Sequence, residues 1–265
     1  MKGIILAAGM GTRLYPITKS VNKHLLPIYD KPLIFYPITT LMLAGIKDLL
    51  VIVNPQDFLL YKKLLGNGSQ WGISIKFEIQ VSAGGIPQGI TLAKNFIKKE
   101  SFALILGDNI FYGVGLGRSI NNFVNEVDNG NKNSVIFIYE VSNPEQYGVV
   151  SLDANGSIIS IDEKPKNSTS NLAITGLYLF NNKAVGYALK LKPSDRGELE
   201  ITDLLKKYLT DSEISIVKLS LGTAWLDTGN FTAMHDASTF VKIIQDRQDI
   251  RIGDPEGAAK INNWI

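Results

Sequence analysis

Lys2-Gly-Ile-Ile-Leu-Ala-Ala-Gly-Met-Gly-Thr-Arg-Leu14 is the stretch whose reading decides the fold. The apolar run Ile4, Ile5, Leu6, Ala7 has the texture of a buried strand. It pours into a loop containing Gly9 and Gly11, followed by Thr12 and Arg13. Glycines in such a loop let backbone N–H groups approach a phosphate with no Cβ in the way. Arginine adds a permanent cation able to grip phosphate oxygens in pairs. Strand, glycine loop and arginine in this order point to a triphosphate-handling site at the carboxyl end of a sheet strand.

Two familiar glycine loops do not fit. A P-loop requires G-x-x-x-x-G-K followed by Ser or Thr, and no such lysine follows these glycines. A dinucleotide fingerprint requires a further small residue at position 14, which is Leu14, and the run Leu49 to Val53 ends in Asn54-Pro55 without a ribose-binding acid. A tight turn with no ligand is the plain alternative for a lone Gly-x-Gly. The residues further along the chain decide against it.

The chain has 265 residues, 45% hydrophobic and 20% charged, enough to bury one large core or a core with a lobe upon it. Lysine plus arginine number 27 against 25 acids, a net charge of +2. That balance gives no reason to expect nucleic-acid or membrane partners. With no cysteine, disulfides and thiolate zinc sites are excluded. A core strand after a single lysine leaves no room for a signal peptide, and no apolar run reaches the ~18 residues of a membrane span. A soluble, cytoplasmic protein is expected.

Strand-like and helix-like runs alternate, which predicts an α/β sheet wrapped by helices. Asp30-Lys-Pro32 is expected to open a helix carrying Leu33, Ile34, Ile38, Leu41 and Met42, kinked at Pro37 and closed by Gly45. Asn54-Pro55 predicts a cap before a helix over 56–65. Strands are expected at 73–79, 102–106 and 134–141, with helices around 91–97 and 119–127. After Val141 the texture becomes richer in sheet. Runs at 149–152 and 158–161 flank Asn155-Gly156 as a hairpin, and 172–180 reads as a further strand. Helices follow at 184–189 and 201–209, strands at 214–219 and 224–226, and a long helix at 231–245. No internal repeat or flexible linker interrupts them.

Several side chains carry chemistry. Lys23, in Ser20-Val-Asn-Lys-His-Leu-Leu-Pro27, is close enough in sequence to Arg13 to face the same anion; otherwise it is a solvated lysine. His24 either meets phosphate or makes a structural hydrogen bond. Gln80 heads a second glycine-rich loop ending at Gly89, and its amide suits the edge of a pyrimidine, with Gly85 allowing close main-chain approach; taken alone, the stretch reads as a plain strand–helix turn. Asp108 follows the 102–106 strand, and Asp227 follows a short apolar run in Thr223-Ala-Trp-Leu-Asp-Thr-Gly229. Each alone is a common turn aspartate. Together at strand ends they read as a magnesium pair, because Mg²⁺ takes one or two carboxylates plus substrate phosphates. Glu163 can accept two sugar hydroxyl protons, and Lys164 beside it can bind a sugar phosphate; in isolation the two are an exposed charged pair before Pro165. Arg196-Gly-Glu-Leu-Glu-Ile-Thr202 is read as opening a helix, its acids serving the first turn.

These stretches together resemble the glucose-1-phosphate thymidylyltransferases of the sugar nucleotidyltransferase family. The resemblance runs along essentially the whole chain. It rests on Leu-Ala-Ala-Gly-Met-Gly-Thr-Arg13, Lys-His-Leu-Leu-Pro27, Leu-Met-Leu-Ala-Gly-Ile46, Gly-Asp-Asn-Ile-Phe111, Tyr-Gly-Val-Val150, Glu-Lys-Pro165, Thr-Gly-Leu-Tyr178, Arg-Gly-Glu-Leu-Glu-Ile-Thr-Asp203 and Ala-Trp-Leu-Asp-Thr-Gly229. It implies a Rossmann-like mixed sheet wrapped by helices, with a sugar-binding lobe from the second half. One nucleotidyltransferase domain over 1–265 is expected, its nucleotide-binding core mainly 1–141 and its sugar-binding and closing segments mainly 142–265.

The family roles place Ala8, Gly9, Gly11, Thr12 and Arg13 at the nucleotide phosphates, with Lys23 and His24 beside them. Gln80 and Gly85 would read thymine. Gly148, Glu163, Ile174 and Tyr178 would line the sugar, Lys164 its phosphate, and Asn109 the bound nucleotide-sugar. Asp108 and Asp227 would carry Mg²⁺. The chain departs from many members in having His24 for Gln, and Val81-Ser-Ala-Gly84 for Pro-Ser-Pro-Asp. It also ends at Ile265, before the terminal helices of longer members.

The implied reaction joins dTTP and glucose 1-phosphate to give dTDP-glucose and pyrophosphate, with Arg13, Lys23 and Lys164 as the catalytic cations. A homo-oligomer, dimer or tetramer, is expected. The alternatives are the same chemistry with UTP or another sugar 1-phosphate, or a non-catalytic nucleotide-sugar-binding regulator. A dehydrogenase is disfavoured by Leu14.

Overall fold

The computed structural model describes residues 1–265. It is a mixed α/β structure in which sheet strands are flanked by helices, as expected, and no helix is long and apolar enough to cross a membrane. The chain forms two compact units, each assembled from separated segments. The first comprises Met1–Ala83, Leu104–Asn122 and Gly222–Ile265, and the second Gly84–Ala103 and Phe123–Leu221.

In the first unit the strand Lys2–Ala7 lies parallel to Asp48–Val53, which lies parallel to Ser74–Ile79. The register sets Ala7 against Val53 and Val53 against Ile79. All three strands therefore end at one edge, where Ala8, Asn54 and Gln80 begin the loops. Ile4, Ile5, Leu49, Val51 and Ile52 are fully buried, which is why these strands read as near-continuous apolar runs. A separate antiparallel pair, Asn109–Tyr112 with Ala224–Asp227, sets Asn109 opposite Asp227. The helix Phe231–Gln248 is capped by Asn230, whose side chain accepts from the Ala233 N–H at 3.0 Å. Its Ala237 and Val241, four residues apart, pack into a cluster with Ile28, Leu33, Tyr36, Ile110 and Ile252. Burial of a valine there is worth roughly 1.5–3 kcal/mol, and it ties the helix to the strand that carries Asn109.

In the second unit Leu172–Phe180 runs antiparallel to Ser134–Glu140, which pairs in parallel with Ile214–Lys218. The hairpin of Gly148–Leu152 and Ile158–Glu163 joins this sheet through the pairing of Val149 with Ala173. Between Ile174 and Tyr178 the register shifts, so that four steps on one strand span two on its partner (Ile138 to Ile136). Such a bulge re-aims the side chains on either side of it.

The structure corrects some boundaries. No helix opens at Asp30: Lys31–Pro32 pairs antiparallel with Pro27–Ile28, and the helix is Phe35–Leu43. Proline at 27 and 32 favours extended chain, and the Tyr36 hydroxyl donates to the Ile28 carbonyl at 2.7 Å. Pro37 falls in the helix's first turn, where its missing N–H is not needed. The 91–97 expectation becomes two helices, Ile86–Leu92 and Lys94–Ile97, meeting at Ala93. The helix expected from Arg196 starts instead at Ile201, because Glu200 has extended backbone and its carboxylate is drawn back to Arg196. The strand Asn109–Tyr112 and the helix Pro255–Ile261 were not legible as elements in the pattern.

Candidate active site

The glycine loop leaves the Lys2–Ala7 strand and folds into a short turn, Thr12–Leu14, preceded by Gly11 with φ +62°. A Cβ at Gly11 would sit 3.1 Å from Thr18 Cγ2 and 3.3 Å from Lys23 Cβ, so both conformation and space call for glycine. The Thr18 hydroxyl donates to the Gly11 carbonyl at 2.6 Å and pins the loop. Thr12 and Arg13 are exposed while Leu14 is buried beneath them. The guanidinium of Arg13 lies over Gly229, where an added Cβ would meet its nitrogens at 3.0–3.2 Å.

A second turn, Lys23–Leu25, brings Lys23 beneath the loop, with its Nζ 4.0 Å from where a Cβ on Gly9 would stand. Lys23 is largely buried, and its ammonium is ion-paired with the Asp108 carboxylate. Asn109 Nδ2 donates to the other Asp108 oxygen at 3.0 Å, and Trp225 Nε1 donates to Asn109 Oδ1 at 2.6 Å. Thr228 donates to the Asp108 carbonyl from both its N–H (3.1 Å) and its hydroxyl (2.8 Å). Through these bonds and the pairing of Asn109 with Asp227, the two aspartates stand at one end of the same antiparallel ladder.

Burial alone would raise the Asp108 pKa. The charge of Lys23, the neighbouring His24 and hydrogen bonds from Lys23 and Asn109 outweigh burial, and the carboxyl is held well below its ordinary range. His24 behaves oppositely. Burial, followed by the adjacent Lys23, pushes its pKa down to about 3 against the pull of Asp108. It is a neutral imidazole, 2% exposed, and of the two roles open to it the structure shows the hydrogen-bonded one, with Nδ1 2.8 Å from Asn22 Oδ1. Gln80 closes the Ser74–Ile79 strand, 8% exposed, its N–H donating to the Val53 carbonyl at 2.9 Å.

The second unit gathers another group. Gly148 pairs with Glu163 across the hairpin, and a Cβ on Gly148 would meet Thr202 at 2.9 Å, Ile174 at 3.5 Å and Glu163 Oε2 at 3.6 Å. Only glycine lets the Thr202 methyl, the Ile174 side chain and the Glu163 carboxylate close in on the backbone here. Glu163 accepts from Arg196 at 3.0 Å and from the Thr202 hydroxyl at 3.2 Å, and Lys164 Nζ lies 3.8 Å away. Arg196 also grips Glu200 through two nitrogens, at 3.2 and 2.6 Å. Tyr178 is buried, and burial first, then Glu163, raises its phenol well above the ordinary value. Gly85, φ +87°, bridges to Leu199, whose carbonyl oxygen would be 2.1 Å from a Cβ at that position. The second glycine-rich loop is thereby tied to the Arg196–Glu200 segment. Arg196, Thr202, Trp225 and Thr228 were missed as site residues. The i, i+4 spacing of Arg196 and Glu200 was the one available signal.

Comparison with known proteins places the chain in a family. The model of the nucleotidyl transferase family matches residues 2–243. A glucose-1-phosphate thymidylyltransferase of Neisseria meningitidis is 48% identical over 265 residues, covering 100% of this chain and 91% of that protein. A Bacillus anthracis structure described as a glucose-1-phosphate thymidylyltransferase, solved with sucrose, superposes with a TM-score of 0.85 at 36% identity, covering 97% of this chain and 99% of that one. A UDP-glucose pyrophosphorylase complexed with UDP-glucose superposes with a TM-score of 0.79 at 26% identity, over 91% of this chain and 98% of that one. With a match of this extent lying over the loop, the paired aspartates and the Glu163 cluster alike, the chain belongs to the nucleotidyl transferase family.

Proposed function

We propose that this chain transfers a dTMP group from dTTP to glucose 1-phosphate, releasing pyrophosphate and dTDP-glucose. The observation that carries the reading is the convergence of Arg13, Lys23, Asp108 and Asp227 around the first glycine loop, in a chain 48% identical to a glucose-1-phosphate thymidylyltransferase. In the reaction a phosphate oxygen of the sugar phosphate bonds to the α-phosphorus, and the bond from that phosphorus to the pyrophosphate oxygen breaks. The attacking oxygen is already an anion, so no general base is required. What the protein must supply is alignment of two anions that repel one another.

In this reading the main chain of Ala8, Gly9, Gly11 and Thr12 receives the nucleotide phosphates, with Gln80 and Gly85 at the base. Arg13, exposed and without an ion pair, is ready to take the charge that grows on the departing pyrophosphate. Glu163, with Gly148, Ile174 and Tyr178, binds the glucose hydroxyls, while Lys164 holds its phosphate and Asn109 the product. Asp108 and Asp227 fit a magnesium ion: they offer hard carboxylate oxygens from adjacent positions, leaving other positions for water and phosphate. When bound, Mg²⁺ supplies charge neutralisation at the α-phosphate and its leaving group. Lys23 holds Asp108 ionised and so ready as a ligand. His24, buried and neutral, acts in this scheme by supporting the loop.

We read residues 1–265 as one catalytic domain working in the cytoplasm as a homodimer or homotetramer, without nucleic-acid or membrane partners. Likeness to a UDP-glucose pyrophosphorylase makes UTP the specific competitor of dTTP. The test is pyrophosphate release by purified protein with magnesium, over a panel of dTTP, UTP and other triphosphates against glucose and N-acetylhexosamine 1-phosphates. Highest kcat/KM for dTTP with glucose 1-phosphate is expected. Preference for UTP would replace the base assignment, and no turnover with any pair would leave the nucleotide-sugar-binding regulator. Light scattering on a sizing column reads the oligomer.

A further inference from the structure

Asn22 immediately precedes Lys23, and the reaction outlined above gives it no role. It is 6% exposed, and both its amide oxygen and its amide nitrogen are hydrogen-bonded. Oδ1 accepts from the His24 backbone N–H at 3.0 Å and the Tyr61 hydroxyl at 2.9 Å, and lies 2.8 Å from His24 Nδ1. Nδ2 donates to Asp57 Oδ2 at 2.7 Å, and the same carboxylate oxygen takes Asn54 Nδ2 at 3.3 Å. Asp57 is 9% exposed and its side-chain partners are these amides.

The chemistry of the groups imposes an order. A carboxylate only accepts, so the amide nitrogen of Asn22 must face Asp57. Its oxygen must then face His24. An amide oxygen also only accepts, so the Asn22 contact is satisfied by the Nδ1–H tautomer of His24, against a competing hydrogen bond from the ring to the Ala7 main chain. Asn22 Oδ1 thus holds both the backbone N–H and the ring of His24, and the first of these bonds is the N-cap of the turn. Lys23 lies between Asn22 and His24 in that turn, and a lysine side chain otherwise has ~2 kcal/mol of rotamer entropy to lose. Here it is directed onto one carboxylate, Asp108.

We propose that Asn22, held between Asp57 and the His24 main chain, is a positioning residue that aims Lys23 at Asp108 and fixes the tautomer of His24. The inference deepens the nucleotidyl-transfer reading and rests on it for its kinetic consequence. Asn22 acts through the turn and touches neither substrate nor metal in that scheme.

The chain has only two histidines, and His235 is exposed, so nitrogen-15 ring spectra of the full-length protein report His24 directly. Wild type should show His24 as the Nδ1–H tautomer. Asn22→Ala should abolish that signature, and Asn22→Leu, which fills the space without an amide, should do the same if the smaller side chain fails to fold. Asp57→Asn should keep the Nδ1–H tautomer, because the His24 backbone N–H, which can only donate, still requires Asn22 Oδ1 to face it. Asn22→Ala should lower kcat between about tenfold and a hundredfold, as expected for a displaced catalytic group, with KM for both substrates little changed. In a Lys23→Met background the same substitution should have no further effect on kcat. An Nε2–H tautomer in wild type, an unaltered spectrum in Asn22→Leu, or a kcat loss undiminished in the Lys23→Met background would overturn the proposal. An inactive wild type with the Nδ1–H signature would overturn only the reaction, whereas an active wild type with the wrong tautomer would overturn only the clamp.

Discussion

Lys23 and Asp108, 85 residues apart in sequence, form an ion pair in which both side chains are nearly buried, 10% and 14% exposed. Neither charge has water enough to stand alone. Breaking such a pair from one side leaves an uncompensated buried charge, typically at a loss of 3–5 kcal/mol.

Lys23→Met is accordingly expected to destabilise the protein by about 3 kcal/mol at pH 7. Lys23→Met combined with Asp108→Asn should recover part of that loss, because no charge remains to be buried. Urea denaturation of the single and double variants measures both. A single variant as stable as wild type would show that the pair is solvated.

Arg13 predicts the opposite division between stability and activity. It is exposed and has no ion pair, so Arg13→Ala should shift stability by no more than about 0.5 kcal/mol. Its kcat should nonetheless fall roughly a hundredfold or more, the scale of losing one preorganised charge stabiliser. Steady-state kinetics and denaturant midpoints on one preparation separate the two effects.

Two glycines with similar backbone conformations should respond very differently to alanine. Gly85 and Gly156 both have positive φ, +87° and +83°. A Cβ at Gly156 meets nothing within 4 Å, so Gly156→Ala should cost only the conformational strain, about 1–2 kcal/mol. A Cβ at Gly85 would lie 2.1 Å from the Leu199 carbonyl oxygen, which forces the two loops apart. Gly85→Ala should cost at least about 3 kcal/mol and, under the proposed base contact, raise the KM for dTTP. Comparable thermal midpoints for the two variants would contradict the close bridge.

His24 should make the fold acid-sensitive. Its pKa is about 3 in the folded chain against 6.5 when solvated. Between those values the unfolded chain binds a proton that the folded chain refuses. The stabilisation is therefore complete above pH 6.5 and is lost as pH falls toward 3. At pH 5 the loss is about 2 kcal/mol relative to pH 7. His24→Gln should flatten this part of the profile, and denaturant melts at the two pH values on both proteins test it.

Much of this molecule was legible before any coordinates. The strand 102–106 carries an unbroken apolar run and 172–180 one interrupted only at Thr175-Gly176, and both occur with those bounds. The Lys2–Ala7 strand and its glycine loop announce an anion site because local chemistry alone requires small residues and a cation there. Asn109–Tyr112 was invisible as a strand because its partner lies more than a hundred residues away, and four residues hold no periodicity of their own. Glu200 was misread for a similar reason: helix propensity says nothing about an arginine turning back to claim the carboxylate.

By itself the sequence determined the α/β class, the place of the phosphate loop and the residue types able to serve it, since backbone propensity and side-chain chemistry are properties of short stretches. Only the tertiary structure decided which charges meet. Lys23 looked like a free cation until folding placed it on Asp108, and His24 could have been charged or neutral until burial chose. Protonation and pairing depend on distance and dielectric, and those exist only once segments far apart in the chain have packed together.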